Sequence, residues 1–227
     1  MKKLVVLSGA GISAESGIKT FRDMGGLWET YDIMEVASPE GWKKNQQLVL
    51  NFYNERRKQL QEVKPNLGHK ILVELEDKFD VQIITQNVDD LHERAGSKNV
   101  LHLHGELTKV RSSVDENLIH KLDGWELKKG DLCKKGSQLR PHIVWFGEAV
   151  PLIEKAALMV QDAEIFIVVG TSLNVYPAAG LLAYVPKTCP IYLVDPDKIQ
   201  SQYNFTHIQE KATIGLKKFY DLIKTDQ

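Results

Sequence analysis

Cysteine is nearly missing from this chain: Cys133 and Cys189 are the only two. Two thiols build neither a disulfide framework nor a four-cysteine metal centre within one chain. An excess of charge of one sign is missing as well. The 29 Lys and Arg offset the 30 Asp and Glu, which removes any general attraction to nucleic acid or to an anionic membrane surface. Long apolar runs are also absent, and no stretch approaches the ~20 residues a membrane-spanning helix needs. The opening Met1-Lys2-Lys3-Leu4-Val5-Val6-Leu7-Ser8 superficially resembles a secretory leader, but Gly9-Ala10-Gly11 breaks the short apolar run at once. These absences point to a cytoplasmic globular protein without nucleic-acid or membrane partners.

What is present is an ordinary core-forming composition, 43% hydrophobic and 26% charged over 227 residues. That length allows one domain, or one domain with a small appendage. Short β-branched apolar runs recur at Lys3 to Ser8, Val81 to Thr85, Val100 to His104, Ile143 to Phe146, Ile165 to Gly170 and Ile191 to Asp195. Several are apolar at consecutive positions, which suits strands covered on both faces. Amphipathic stretches with helical spacing lie between many of them, marked by Leu67, Ile71, Leu72 and Leu75, by Leu152, Ala156, Met159 and Val160, and by Leu216, Phe219, Leu222 and Ile223. Alternating strands and helices predict an α/β fold with a doubly wound parallel sheet.

Two segments break this rhythm. Residues 31–79 read as consecutive helices, and residues 112–140 are polar, Lys-rich and weakly periodic. Both are expected to form a smaller, mainly helical lobe inserted beside a large domain made of residues 1–30, 80–111 and 141–227.

The first strand runs into Gly9-Ala10-Gly11-Ile12-Ser13-Ala14, a relative of the GxGxxG/A turn that brings backbone close to a pyrophosphate. Alone it is a weak signal, because glycine turns also serve packing. No strand-end carboxylate follows about 20 positions later, which disfavours an ordinary dehydrogenase. Gln86-Asn87-Val88-Asp89, Gly170-Thr171-Ser172 and Asp195-Pro196-Asp197 also follow predicted strands. Asn87 and Asp89 suit a ribose or carboxamide edge, although Asn87 could equally cap a helix beginning near Val88. Four loops at four strand ends define one crevice.

With these pieces in order the chain resembles the sirtuins. Gly9-Ala10-Gly11-Ile12-Ser13, Gly17-Ile18, Phe21-Arg22, Gln86-Asn87-Val88-Asp89, His104-Gly105 and Gly170-Thr171-Ser172 match that family's motifs in order and spacing. The strings His102-Leu103-His104-Gly105-Glu106-Leu107, Arg140-Pro141-His142-Ile143-Val144-Trp145-Phe146-Gly147-Glu148 and Val175-Tyr176-Pro177-Ala178-Ala179-Gly180 are similar to its bacterial CobB-type branch. The resemblance implies a Rossmann-like domain binding NAD, consumed as a co-substrate, in a cleft beside a smaller lobe. It places Gly9, Ala10, Gly11, Ile12, Ser13, Ser16, Gly17, Phe21, Arg22 and Trp28 along a cofactor loop, with Arg22 near phosphate. It places Gln86, Asn87, Val88 and Asp89 at the nicotinamide ribose. Gly170, Thr171 and Ser172 fall on the phosphate and adenosine side, and Asp195, Pro196, Asp197 and Ala212 at the adenosine end. Thr20 stands where the family often has Asp, so no acid–base role is assigned there.

The implied reaction removes acyl groups from protein lysines, giving nicotinamide and 2'-O-acyl-ADP-ribose. The acyl oxygen attacks the ribose carbon, so the protein chiefly positions reactants and stabilises charge. A base for a ribose hydroxyl is still required, and a histidine can accept that proton near neutrality. His104 occupies the motif position, with Asn87 as the second catalytic residue. His102 alternates with it along a predicted strand and so shares its face, but a strand histidine is commonly just a satisfied buried group.

Tyr53 and Arg56 stand at i and i+3 on a charged helix and so share one face. They resemble the Tyr-x-x-Arg signature of desuccinylating sirtuins, in which a guanidinium and a phenol bind an acyl carboxylate. The plain alternative is a solvated basic face with Tyr53 packed sideways. Val144, Trp145, Phe146, Gly147 and Glu148 match the segment that pairs with an extended substrate peptide, and one of the two aromatics is expected in the core. Succinyl-, malonyl- and acetyl-lysine proteins are therefore the expected partners, and a monomer is expected. Most sirtuins hold a structural zinc with two cysteine pairs. Here Ser112 and Ser113 replace the first pair and Cys133 alone remains of the second, so no zinc is expected. A sirtuin-like protein ADP-ribosyltransferase and a binding module without turnover are the alternative readings.

Overall fold

A computed structural model describes residues 1–19, 31–173, 176–199 and 202–225. Phe21, Arg22, Trp28, Thr20 and Val175 lie outside these residues. The main sheet has six strands: β1 (Lys3–Ser8), β2 (Asp80–Thr85), β3 (Val100–His102), β7 (Ile165–Val169), β8 (Ile191–Val194) and β9 (Thr206–Ile208). Their order is β3-β2-β1-β7-β8-β9, parallel throughout.

Consecutive apolar residues in β1 feed two different cores because strand side chains alternate between faces. Leu4 and Val6 meet Ile83, Ile167 and Val169 under residues of the Leu67–Leu75 and Ala212–Thr225 helices. Val5 and Leu7 meet Ile84, Phe166 and Val168 under the Ile153–Gln161 helix and the 3-10 segment Ala178–Tyr184. Each fully buried side chain of this size contributes roughly 1.5–3 kcal/mol. This is the doubly wound α/β sheet that the strand pattern predicts.

A third core forms the smaller lobe. The helices Ile33–Val36, Pro39–Lys44 and Gln46–Glu62 supply Val36, Trp42, Val49, Leu50 and Phe52. Each starts at a polar cap: Asp32 accepts from Met34 N, Ser38 from Gly41 N and Asn45 from Leu48 N. The rest of this core comes from β4 (Gly105–Ser112) and β6 (Leu139–Ile143), which with β5 (Ile119–Lys121) make an antiparallel sheet of order β5-β4-β6.

Two stretches pack elsewhere than expected, and one strand lies earlier in the chain. Helix Leu67–Leu75 packs on the main sheet rather than in the smaller lobe, since Ile71, Leu72 and Leu75 belong to the sheet core. Residues 105–111 and 141–143 leave the large domain for the small sheet. The strand expected at Ile143 to Phe146 lies earlier, at Leu139–Ile143, and contains Pro141. Proline is tolerated there because β6 is an edge strand.

Candidate active site

The strand order reverses direction between β1 and β7, and a crevice opens beyond the carboxyl ends of strands at such a switch point. The loops after β1, β2, β7 and β8 converge there. Gly11 N donates to Gly170 O at 2.8 Å and Gly9 N to Val169 O at 3.0 Å. A Cβ on Gly11 would sit 2.6 Å from Gly170 Cα, and one on Gly9 would sit 2.6 Å from Thr171 Cβ. Glycine is thus required first by loop-on-loop packing. Ile12 and Ser13 begin a single helical turn, Gly11–Ala14, whose following loop carries Ser16 and Gly17 (φ +96°).

Asn87 does not cap a helix: the next helix starts at Leu91, behind Asp90. Its amide donates instead to Gly9 O (3.1 Å) and Ser13 Oγ (3.2 Å), while Ser13 Oγ donates to Asp89 Oδ2 (3.0 Å). With both amide hydrogens engaged inward, Asn87 Oδ1 is the acceptor left for a hydroxyl. Burial raises the Asp89 carboxyl above its ordinary range, opposed by hydrogen bonds from Leu91 N and Ser13. Gln86 Nε2 reaches Thr171 Oγ1 at 3.2 Å, tying the second loop to the third.

His104 is half-buried, and its Nδ1 lies 3.0 Å from Gln86 O. A carbonyl only accepts, so Nδ1 carries the hydrogen and Nε2 keeps its lone pair. Nε2 has no hydrogen-bond partner among the described residues. Burial lowers the imidazole's pKa, with the Gln86 bond opposing, which favours the neutral ring with its Nε2 lone pair available to accept a proton. His102 makes the matching contact one residue further along the loop: its Nδ1 lies 3.0 Å from Asn87 O, and its Nε2 lies 2.7 Å from Glu93 Oε1.

The residues expected at the adenosine end lie beyond β8. Asp195 is buried, its Oδ1 accepting from Asp197 N and its carbonyl lying 2.9 Å from His207 Nε2. Pro196 O accepts from Gln209. Ala212, buried at the head of the last helix, is followed by Thr213, whose N and hydroxyl donate to Glu15. Ser172 stays half-exposed after Thr171.

The smaller lobe carries the remaining expected site residues. Tyr53 is 3% exposed and its hydroxyl accepts from Trp145 Nε1 at 3.0 Å. Burial pushes Tyr53 up to about 12, so it remains a neutral phenol. The Arg56 guanidinium sits 5.6 Å from the centre of the Phe52 ring. Burial lowers its pKa, opposed by Tyr53 and Asp89. Of the two aromatics, Trp145 is core, between Trp42 and the Arg140 guanidinium, and Phe146 is 46% exposed. Val144 N donates to His104 O at 2.9 Å, and Gly147 turns the chain with φ +88°. Glu148 accepts from Arg111, Arg140 and Trp145 N. Val88 O accepts from Leu107 N, joining the loop after β2 to the small sheet.

Several contributors carry no local sequence signal. Asn66 caps the Leu67–Leu75 helix and also donates to Ile12 O (2.7 Å) and Ser16 Oγ (2.9 Å). Beneath Asn87, Thr85 Oγ1 accepts from Asn87 N and from Ser8 Oγ, and Ser8 Oγ lies 3.0 Å from His92 Nε2. Ser8 and Thr85 are polar residues closing apolar strands, the one hint available beforehand.

The place where most sirtuins hold zinc carries side chains that do not suit a metal. Ser112, Cys133 and Ser137 meet there, with Oγ–Oγ 2.9 Å and Sγ–Oγ 3.3 and 3.1 Å. One thiol and two hydroxyls are a poor zinc donor set. Among the described residues no three His, Cys, Asp or Glu side chains cluster as a metal site, and no helix is long and apolar enough to cross a membrane.

A doubly wound parallel sheet whose polar loops meet at its switch point places the chain among α/β proteins of the kind that bind ligands at that edge. Comparison with known proteins narrows the class. The Sir2 family model matches residues 9–177. An NAD-dependent protein deacylase of Bacteroides thetaiotaomicron is 56% identical, covering 98% of both chains. One of Helicobacter pylori is 65% identical over 86% of this chain and 85% of its own. A Sir2 homologue solved with NAD superposes with a TM-score of 0.88 at 39% identity, over 99% of this chain and 90% of that one. The chain belongs to the Sir2 family.

Proposed function

We propose that this protein is an NAD-dependent protein-lysine deacylase in which His104 is the base and Asn87 the residue that holds the reacting ribose. The observation that carries this reading is the fixed tautomer of His104, whose Nε2 lone pair is free because Gln86 O occupies Nδ1. NAD supplies an electrophilic ribose carbon with nicotinamide as its leaving group. The residues suited to hold it are those of the four strand-end loops, from Gly9 to Gly17, Gln86 to Asp89, Gly170 to Ser172 and Asp195 to Asp197 with Ala212. Phe21, Arg22 and Trp28 join them by resemblance. Asn87 Oδ1 accepts a ribose hydroxyl, and His104 Nε2 takes a hydroxyl proton when the acyl group is transferred. Relatives named NAD-dependent protein deacylase, together with Sir2 homologues solved with NAD or ADP-ribose, support the assignment.

The preferred acyl groups in this reading are succinyl and malonyl, with acetyl also processed. Tyr53 and Arg56 offer a phenol hydroxyl and a partly desolvated guanidinium to a distal carboxylate, a pairing stronger than neutral hydrogen bonds. The Val144–Glu148 segment seats the substrate peptide through backbone hydrogen bonds. The deciding experiment incubates the protein with NAD and acetyl-, succinyl- or malonyl-lysine peptides. Nicotinamide and O-acyl-ADP-ribose are the expected products, and His104→Ala abolishes their release while NAD binding persists. Labelled protein in place of O-acyl-ADP-ribose would identify an ADP-ribosyltransferase instead. Arg56→Met reduces desuccinylation far more than deacetylation; equal losses would remove the clamp.

A further inference from the structure

Two successive carbonyls of the loop after β2 are each held by a histidine, and the two histidines have different second partners. Gln86 O takes Nδ1 of His104, whose Nε2 is left open. Asn87 O takes Nδ1 of His102, whose Nε2 meets the Glu93 carboxylate at 2.7 Å. A carbonyl and a carboxylate both only accept hydrogen bonds, so satisfying both contacts requires a hydrogen on each His102 nitrogen. His102 is 7% exposed, which denies the ring water as a substitute partner.

We propose that the His102–Glu93 pair is a positioning device: a doubly protonated His102 holds the Asn87 carbonyl, and through it the Asn87 side chain, in register with His104, so that turnover needs His102 charged while His104 is neutral. The inference rests on the assignment of His104 and Asn87 given above. His102 touches no reacting atom and acts through Asn87.

The surroundings of the ring agree. Burial pulls the His102 pKa down, yet the hydrogen bond and charge of Glu93, the Asn87 carbonyl and the Glu106 charge together hold it above the ordinary histidine value. Glu93 responds reciprocally: burial raises its carboxyl, but the bond and charge of His102, with Lys109 nearby, bring it below the usual range. The remaining titratable neighbours are Asp89, which favours the cation, and His92, which burial keeps uncharged. The two histidines are thus pushed in opposite directions, the arrangement that separates an acid-side requirement from an alkaline one.

The test is the pH profile of kcat/KM for nicotinamide release, measured on the wild-type protein and on Glu93→Gln, His102→Asn and His104→Ala. Loss of the carboxylate in Glu93→Gln moves the alkaline limb to lower pH by about one unit or more. In His102→Asn the side-chain amide stands where Nδ1 did and donates at every pH, so activity returns without that limb. An alkaline limb shared unchanged by wild type and Glu93→Gln, or kept by His102→Asn, overturns the proposal. Nitrogen-15 spectra of the wild-type imidazoles give a second readout independent of variant folding: both His102 nitrogens carry hydrogen at pH 7, and a neutral ring refutes the device. Activity surviving in His104→Ala overturns the underlying assignment instead. An inactive His104→Ala with an unmoved limb removes only the role of the pair.

Discussion

The indole nitrogen of Trp145 donates a hydrogen bond to the hydroxyl of Tyr53 at 3.0 Å. Indole can only donate, so the phenol oxygen accepts there and its own hydrogen is directed elsewhere. The Tyr53 hydroxyl is thereby oriented before any substrate arrives. If Tyr53 and Arg56 clamp an acidic acyl group, Trp145→Phe keeps the ring stack with Trp42 and Arg140 but loses this orientation. The expected effect is a roughly 5- to 10-fold fall in kcat/KM on succinyl-lysine peptide, equivalent to about 1–1.4 kcal/mol. Deacetylation changes by less than about twofold, because no carboxylate is present to be oriented. Parallel losses on both peptides would mean that Trp145 acts on the core alone.

The acid side of the rate profile follows from His104. Its folded pKa is lowered by burial, against the opposing Gln86 bond, and the reactive form is the neutral ring. Protonation therefore silences it only below the ordinary histidine value near ~6.5. Nicotinamide release measured down to pH 5 is expected to reach half its plateau below that value. A midpoint above pH 7 would contradict the assignment.

Stability has its own pH dependence, set by His69 and His92. Both are fully buried, with ring centroids 5.0 Å apart. Burial lowers His69 to about 4 and holds His92 well below its ordinary value. The unfolded chain takes up protons near pH 6.5, whereas the folded form refuses them until lower pH. Their contribution is thus fully present above about pH 6.5 and is lost as pH falls toward 4, on the order of 3 kcal/mol for His69. Thermal melts between pH 7.5 and 4.5 should show Tm falling through that window, with a shallower fall in His69→Gln. A Tm flat down to pH 4.5 would show that both rings charge freely in the native state.

In the polar excursion between β4 and β6, the Ser112 hydroxyl is the hub. It meets Ser137 Oγ and Cys133 Sγ and accepts from the backbone N–H of Val114 and Asp115. Ser112→Ala strands these donors and should cost about 1–3 kcal/mol in denaturant unfolding. Chelator should leave Tm unchanged in the wild-type protein, and elemental analysis finding one zinc per chain would disprove this account.

Gly11 offers a sharper test of the loop packing. Gly11→Ala places a carbon 2.6 Å from the Gly170 backbone, where no flexible side chain can yield. NAD affinity is expected to fall at least tenfold by calorimetry, with the melting curve still cooperative. Wild-type affinity would show that the two loops move apart at little cost.

The large domain was legible because its signals are local. Val5 and Val6 are adjacent yet enter different cores, as a strand covered on both faces requires, and Gly9 and Gly11 directly follow it. The small sheet was not legible. β5 is exposed at Ile119, His120 and Lys121 and so shows no apolar pattern, while Pro141 conceals β6. Helix Leu67–Leu75 looked like its helical predecessors, and only its packing against the last helix and the sheet puts it in the other core. The polar chain of His92, Ser8 and Thr85 joins residues 84 and 77 positions apart. Spacing within a motif carries no trace of such pairs.

One joint between the layers has a mechanical consequence. Gly105, at φ +81°, lies so close to β6 that a Cβ there would sit 2.0 Å from His142 O, and the neighbouring His104 carbonyl accepts from Val144 N. The imidazole therefore sits one residue from the β4–β6 contact, where the chain passes from the main sheet into the small one. If a guest peptide seats along Val144 to Glu148, any tug it exerts on that segment reaches His104 across a single amide contact, without an intervening side chain to absorb it.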